Sequence, residues 1–244
     1  MMSNNQTGIL KPWTRRLGCS LRILAQPGTT LQPTQRNGAA QALSVTLWHA
    51  GEHTVIQASS ALLGLVKGLL STQPPGTSLH AENLIEAWGR ETPPDHEITR
   101  FHYLNPETFQ PVDPPAGFRI KTLKRDDRFA LSDLQAACEP EAVDAAEVSV
   151  DDTIGMACIH EGNIVAVATG FWFLSFMDIG VLTHPKFRRQ GLGAAVVTAL
   201  VKWCKVRGIT AQYRYDSQNI GSRRLAETLN LEPMIWKESL TFQR

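Results

Sequence analysis

The feature that most constrains the fold lies between residues 181 and 206. There an apolar strand leads into a basic, glycine-containing loop, residues 188–193 with the sequence RRQGLG, and the loop leads into an apolar helix. A helix that begins directly after such a loop leaves its first four backbone N–H groups without intrahelical partners. The helix dipole adds about half a positive charge at the same end, and glycines let an anion approach the backbone. The segment therefore predicts a binding site for a phosphate-bearing ligand.

Hydrophobic periodicity predicts the elements around this loop. Strands are predicted over residues 118–123, 154–159, 164–173, 177–183, 210–215 and 233–242. Helices are predicted around residues 129–134, as a second segment that carries residues 141–147, over about 194–206 and over 220–229. The second and third strands are joined by residues 160–163, where a glycine or an asparagine can take positive φ, so these strands form a hairpin.

The first half of the chain has weaker patterns. Residues 1–37 are rich in polar residues, proline and glycine, with only 21–24 resembling a strand, and are expected to form a loosely ordered arm. Residues 43–47 and 54–56 predict a hairpin, and 62–70 and 84–88 predict two helices. Six prolines between residues 92 and 117 disfavour central strands and predict a domain boundary. The expected domains are therefore the arm, a small α/β domain over 38–116 ending in this linker, and a larger domain over 117–244.

Charge and length exclude several classes of function. The formal net charge of +1 gives no overall field that would attract nucleic acid or an anionic membrane, so neither partner is expected. No apolar run approaches the roughly 18 residues of a membrane-spanning helix. The Arg-Arg pair at 15–16 lacks the apolar stretch of an export signal. A cytoplasmic location is the expectation.

Cysteine and histidine spacing gives no sign of a metal. The four cysteines are far apart and form no CxxC pair, so neither a zinc cluster nor a disulfide framework is expected. The seven histidines show no HxxxH or HExxH spacing. The sequence thus predicts that no metal is bound.

The loop and its surroundings resemble a known family. Residues Arg188, Gly191 and Gly193 match the R/Q-x-x-G-x-G/A motif of the GNAT superfamily of N-acetyltransferases, which holds the pyrophosphate of coenzyme A. Val181 and Pro185 match the preceding strand, whose backbone pairs with the pantetheine arm in that family. Downstream, residues 219–229 resemble the second signature, an Asn followed three residues later by Ala or Ser on a helix. Neither a Walker A loop nor a GxGxxG dinucleotide fingerprint is present.

The resemblance implies a fold, a co-substrate and a set of binding residues. The fold is α/β (α+β), with a GNAT-like mixed, mostly antiparallel twisted sheet flanked by helices and preceded by a smaller α/β N-terminal domain. Acetyl-CoA is the implied co-substrate, and the thioester oxygen is expected to accept a hydrogen bond from the strand amides around Leu182. The implied coenzyme-binding residues are Val181, Leu182, Thr183, Arg188, Arg189, Gln190, Gly191, Leu192, Gly193, Ala194, Asn219 and Ser222.

A base is needed because an alkylamine, with a pKa of about 10, is protonated at neutral pH. Asp178 lies close to the position where many family members carry a glutamate base, and it is the first candidate. Glu141, Asp144 and Glu147, in a region that often lines the acceptor pocket in the family, are the other acidic candidates.

The sequence departs from the family at the proton donor. Many members carry a tyrosine seven residues after the Asn of the second signature, where this chain has Ala226. Tyr215, Tyr213 or the hydroxyl of Ser222 can substitute for it. The donor can also be dispensable, because a thiol of pKa about 8.5 leaves readily as thiolate.

Two functions from different classes remain open. The first is an enzyme that acetylates a primary amine of a small molecule or, as the less favoured variant, of a protein. The second is a catalytically silent acyl-CoA-binding module that acts as a sensor or holds a partner. A nucleic-acid-binding domain is disfavoured because no aromatic residues interleave with the arginines at 188–189 and 223–224. A homodimer is left open as the assembly state.

Overall fold

The computed structural model describes residues 3–33, 43–89 and 92–242. The helices are α1 (Asn4–Leu17), α2 (Leu21–Leu24), α3 (Leu63–Thr72), α4 (Ala81–Trp88), α5 (Arg128–Ala136), α6 (Pro140–Ala146), α7 (Leu192–Val206) and α8 (Ile220–Thr228). The strands are β1 (Gly28–Pro33), β2 (Leu43–Ala50), β3 (His53–Ala58), β4 (Asp95–Tyr103), β5 (Arg119–Thr122), β6 (Ile154–His160), β7 (Asn163–Phe173), β8 (Phe176–Thr183), β9 (Ala211–Asp216) and β10 (Glu232–Phe242).

The chain divides into two compact units. Unit 1 comprises residues 1–101, 216–218 and 233–244, and unit 2 comprises residues 102–215 and 219–232. This division differs from the expected boundary near residue 117, because the last strand of the chain belongs to the unit built mainly from the first hundred residues.

Unit 1 is a mixed sheet with helices on both faces. Its strands follow the order β1-β3-β2-β10-β4, in which β1 pairs with β3 in parallel and β2 pairs antiparallel with β3 and β10. Because side chains alternate along a strand, Leu47 of β2 packs towards α3 and α4 while Trp48 packs against Trp13 of α1 at a ring distance of 5.3 Å. The predicted hairpin and both predicted helices of this region are present.

The expectation of a loosely ordered arm over 1–37 was wrong for residues 3–33. Helix α1 begins with a capping box formed by Ser3 and Gln6, and it ends at Gly18 in the left-handed conformation. Its apolar residues Ile9, Leu10, Trp13 and Leu17 share one helical face and are buried. That spacing predicts a helix, but the polar composition around it concealed the pattern. Residues 21–24 form a short helix rather than a strand, and residues 34–37 lie outside the described range.

The proline-rich segment also contains a strand, although its proline content led us to expect none. Strand β4 begins directly after Pro94 and ends before Pro106. The prolines therefore flank the strand, and no ladder hydrogen bond is lost inside it.

Unit 2 is a mixed, mostly antiparallel sheet with helices packed on it. Its strand order is β9-β8-β7-β6-β5, in which β5 to β8 pair antiparallel and β8 pairs with β9 in parallel. Helix α7 buries its apolar residues against one face, and α5 and α6 cover the other. The predicted fold class, a mixed and mostly antiparallel sheet flanked by helices, is confirmed.

Among the residues with described coordinates, we find no helix that is both long and apolar enough to span a bilayer.

Candidate active site

The central feature of unit 2 is a fork between β8 and β9. The two strands pair from Met177 and Ala211 to Ile179 and Tyr213. Beyond this point β8 continues to Thr183 and β9 to Asp216, with no further pairing between them in the described residues. The opposite edge of β8 stays paired with β7 as far as Thr183. One edge of the β8 backbone is therefore left for a ligand.

Backbone alternation decides which amide of β8 faces the fork. The Met177 N–H donates to the Thr210 carbonyl on the β9 side, and the His184 N–H donates to the Val165 carbonyl on the β7 side. Since successive backbone groups of a strand point to alternate edges, the amide of Val181 faces the fork and that of Leu182 faces β7. Of the amides around Leu182 that were expected to bind the oxyanion, the one that faces the fork is therefore that of Val181.

A cleft of about 370 Å³ extends from this fork to the first turn of α7. Every residue expected to bind the coenzyme lines it, apart from Gln190. Tyr213, which was expected only as an alternative proton donor, lines it too. Sequence reasoning missed further lining residues, most of them on α8: Phe187, Gly221, Arg224, Leu225 and Thr228. Those on α8 fall on one face of that helix, so a helical projection would have signalled them.

The two loop glycines have separate structural roles. Gly191 is the N-cap of α7 with φ of 78°, a conformation that other residues adopt only with strain. A Cβ on Gly193 would lie 3.2 Å from Leu225 Cδ1 and 3.3 Å from Thr183 Oγ1. Glycine at 193 therefore lets α7 approach both α8 and β8, while Gly191 brings the free amides of the first turn to the cleft surface.

Three arginines give this end of the cleft its positive charge. Arg188 forms an ion pair with Glu139 at 2.5 Å, and its Nε donates to the Thr183 carbonyl at 3.4 Å. This ion pair holds the pKa of Glu139 below its ordinary value. Arg189 and Arg224 also line the cleft, so the site has cationic side chains besides the one neutralised by Glu139.

The second signature forms the start of α8. Asn219 is the N-cap of this helix, and its Oδ1 accepts a hydrogen bond from the Ser222 N–H at 2.9 Å. An Asn followed three residues later by a small residue is thus first a capping arrangement. The cap uses Oδ1, so the amide N–H groups of Asn219 can donate to a ligand in the cleft.

Asp178 is enclosed rather than exposed at the edge of the sheet. It is 1% exposed, does not line the cleft, and binds Arg214 Nε through Oδ2 at 2.5 Å. Burial raises the pKa of Asp178, and the charge of Arg214 opposes that shift. Asp178 directly precedes Ile179, the residue of β8 at which the pairing with β9 ends and the fork begins.

Glu147 shares the same arginine. Its Oε2 lies 2.5 Å from Arg214 Nη2, and its side chain is 56% exposed. The last turn of α6 reaches this place because a Cβ on Gly180 would lie 2.0 Å from the Ala146 carbonyl oxygen, so only glycine fits there. Of the acidic candidates on or beside α6, Glu147 is therefore the one that the structure joins to Asp178.

The tyrosines of β9 differ in their surroundings. Tyr213 lines the cleft, is 2% exposed, and its hydroxyl is buried. Burial raises the pKa of Tyr213. Tyr215, the tyrosine first expected to act, does not line the cleft and instead hydrogen-bonds His102 Nε2 at 3.1 Å. Ala226 is fully buried in the core between α8 and the sheet.

Comparison with known proteins decides the family. The profile of the GNAT acetyltransferase family matches residues 97–233, which is more than half of the chain. The chain belongs to the GNAT acetyltransferase family. This assignment supports acyl transfer from acetyl-CoA and agrees with the cleft between the fork and the start of α7.

Relatives in sequence and structure agree with this membership. An uncharacterized N-acetyltransferase in the mutA 5′ region of Streptomyces virginiae is 33% identical over 111 residues, which cover 41% of this chain and 44% of that protein. The match thus spans less than half of that relative. A GNAT acetyltransferase of Colwellia psychrerythraea has a TM-score of 0.54 at 12% identity, with 100% of this chain and 98% of that chain covered. A GCN5-related N-acetyltransferase of Sphaerobacter thermophilus has a TM-score of 0.50 at 15% identity, with 66% and 55% covered. Identities this low show a shared fold.

Proposed function

We propose that the protein is an acetyl-CoA-dependent N-acetyltransferase that modifies the primary amine of a small molecule. The observation that carries this proposal is the cleft that joins the open edge of β8 to the free amides at the start of α7. A coenzyme with an extended amide arm and a pyrophosphate needs both features in one continuous surface.

The residues of the cleft suggest how acetyl-CoA would lie. Its pyrophosphate would bind the backbone amides around Gly191 and Gly193, with Arg189 and Arg224 as counter-charges. Its pantetheine arm would follow the open edge of β8. The thioester carbonyl oxygen would then accept a hydrogen bond from the Val181 N–H, and that bond would strengthen as negative charge develops on the oxygen.

The chemistry assigns separate tasks to a carboxylate and a hydroxyl. The amine first loses one proton, and its nitrogen then attacks the carbonyl carbon to form a tetrahedral oxyanion. Collapse of that intermediate breaks the C–S bond, and the proton that the nitrogen loses at this stage balances the one that the departing thiolate gains. We infer that Glu147 accepts the first proton, because its side chain is 56% exposed whereas that of Asp178 is 1% exposed, although both carboxylates bind Arg214. Tyr213, which lines the cleft, is the proposed proton donor to the departing thiolate, and Ser222 also lines the cleft.

A small cationic acceptor suits the acidic end of the fork. Glu147 and Asp178 lie together there with one arginine between them, an arrangement that attracts an ammonium group. A lysine or an amino terminus of a protein carries the same group, so the acceptor panel must include peptides.

Calorimetric titration with acetyl-CoA tests the coenzyme site. We expect saturable binding near one equivalent, with affinity lowered at least about tenfold (~1.4 kcal/mol) in Gly191→Asp because a carboxylate then faces the pyrophosphate. Gly162→Asp is the matched control, since Gly162 has a similar φ of 84° and a Cβ there would meet nothing within 4 Å, while one on Gly191 would make only an ordinary contact with Val112 at 3.8 Å. If the two folded variants bound acetyl-CoA with equal affinity, the coenzyme site would not lie at the start of α7.

Release of free thiol across a panel of small amines and peptides tests turnover. Release with a small amine supports the proposed enzyme, and release with peptides alone moves the acceptor to a protein. Ala226, in place of the tyrosine of many relatives, favours a second candidate, a silent acyl-CoA-binding module. Binding of acetyl-CoA without thiol release from any acceptor would support that module.

A further inference from the structure

A second cluster of chemically active side chains lies in unit 1, away from the chemistry described above. Glu238 of β10 stands at its centre. His49 of β2 places Nε2 at 2.6 Å from Glu238 Oε1, and His80, at the N-cap of α4, places Nδ1 at 3.8 Å from the same oxygen. His96 of β4 lies on the other oxygen, with Nε2 at 3.1 Å from Oε2. Three imidazoles thus converge on one carboxylate.

The centre of the cluster is buried and one side is open. The side chains of His49 and Glu238 are 4% and 5% exposed, while that of His80 is 51% exposed. A buried carboxylate requires a cation or several hydrogen bonds. An ion could enter past His80, since that imidazole forms the solvent side of the cluster.

The surrounding contacts hold the inner histidine in an orientation that suits a ligand. Nδ1 of His49 is hydrogen-bonded to Thr54 Oγ1 at 3.1 Å, which leaves Nε2 directed at Glu238. The indole of Trp236 stacks on the His49 ring at a centroid distance of 4.5 Å. A metal-ligating histidine in proteins usually has its second ring nitrogen engaged in this way.

We propose that His49 Nε2, His80 Nδ1 and Glu238 Oε1 bind a zinc ion, with water in the fourth position. These ligand atoms lie within 4.8 Å of one another. A tetrahedral zinc with bonds of about 2.0–2.1 Å separates its ligand atoms by roughly 3.3 Å. The two ring nitrogens lie 2.6 and 3.8 Å from Glu238 Oε1, on either side of that value. The His49 and His80 rings are stacked with centroids 4.9 Å apart, so zinc binding requires the His80 ring to rotate towards the shared ion. Two imidazoles and one carboxylate form an established ligand set for zinc.

His96 has a different task in this arrangement. Its contact is with Glu238 Oε2, the carboxylate oxygen that the zinc does not use. It therefore acts as a positioning residue that orients the carboxylate. Sequence spacing could not reveal this site, because its members come from four separate segments and the expectation of no metal rested on local spacing.

Titration of the chelator-treated full-length protein with zinc sulfate, in competition with a chromophoric chelator, tests the proposal. We expect one equivalent of Zn²⁺ to bind and the thermal unfolding midpoint to rise with zinc concentration. Substitution with Co²⁺ should give the visible absorption of a four-coordinate site. The absence of zinc binding by folded protein would overturn the proposal and leave a hydrogen-bonded cluster.

Variants locate the ion. His80→Asn removes a ligand yet keeps a good N-cap on a half-exposed position, so the variant is expected to fold and to bind zinc at least about 100-fold more weakly. His96→Asn should weaken binding by about 10–100-fold, the range found for partners of ligands. His160→Asn in unit 2 is the control and should bind like the unmodified protein. Unchanged affinity in His80→Asn would place the zinc elsewhere. Because the proposed acetyl-CoA site lies in unit 2, titration with acetyl-CoA tests the proposed function separately.

Discussion

Single residues decide how this member of the family can carry out proton transfer. Ala226 occupies the position of the tyrosine that many relatives use, and it is buried. Tyr213 reaches the cleft from the strand instead, and its hydroxyl is buried there. Because burial raises its pKa, Tyr213 keeps its proton throughout the neutral and mildly alkaline range. A hydroxyl that stays protonated can donate to a thiolate as the latter forms.

Tyr213→Phe tests this role. We expect kcat to fall by about 10–100-fold with little change in KM for acetyl-CoA, because the ring still packs but the proton donor is lost. The deficit should shrink above about pH 8.5, where coenzyme A leaves as a stable thiolate. Steady-state thiol release over a pH series measures both effects. Tyr215→Phe, which changes a hydroxyl outside the cleft, is the control, and an equal loss in the two variants would contradict the assignment.

At the scale of elements, one arginine joins three parts of the fold at the fork. Arg214 on β9 binds Asp178 of β8 and Glu147, the residue that follows α6. Gly180 permits the close approach of α6 to β8 that brings Glu147 there. The pairing of β8 with β9 ends next to this group. The geometry of the acceptor side therefore depends on how α6 packs on the sheet.

Glu147→Gln is the variant that tests the proton acceptor. We expect kcat/KM to fall by about 100-fold at neutral pH, with a smaller deficit as pH approaches the amine pKa of about 10, where solvent deprotonates the substrate. Asp144→Asn changes an exposed carboxylate of α6 that has no contact with Arg214, and it should retain the activity of the unmodified protein. A pH-independent loss in Glu147→Gln would indicate that Glu147 only maintains the structure.

At the scale of the whole molecule, the chain completes its first unit with its last strand. Strand β10 pairs with β2 from Ile235 to Phe242. Its inward side chains Leu240 and Phe242 are buried with α3 and α4 in the core of unit 1. The same strand supplies Glu238 to the proposed zinc site. Residues from the two ends of the sequence are thus required for one core.

Leu240→Ala tests this dependence. We expect a loss of about 2–5 kcal/mol in the free energy of unfolding, because a fully buried side chain leaves a cavity. The neighbouring Thr241→Ala, on the exposed face of the same strand, should change the free energy of unfolding by no more than about 0.5 kcal/mol. Urea denaturation measures both variants. Similar small effects in both would show that β10 does not contribute to this core.

Local sequence patterns were sufficient to predict many secondary-structure elements of this protein and the position of one loop. The order of strands and helices from residue 118 onwards follows from the hydrophobic period, and the proposed coenzyme-binding loop follows from the glycine and arginine spacing at 188–193. These features depend on residues that are close in sequence, where chain geometry alone relates them. The apolar spacing of helix α1 also predicts a helix, although the polar composition of the segment led to the expectation of a loosely ordered arm.

Only the tertiary structure decided which distant groups meet. Strand pairing placed the amide of Val181, rather than Leu182, at the fork, and it put Tyr213 in the cleft and Tyr215 against His102. Folding also brought Glu238 to His49, residues 189 positions apart. Such contacts depend on strand register and helix packing between segments far apart in sequence. A local pattern cannot encode that information, because each segment alone is compatible with many partners.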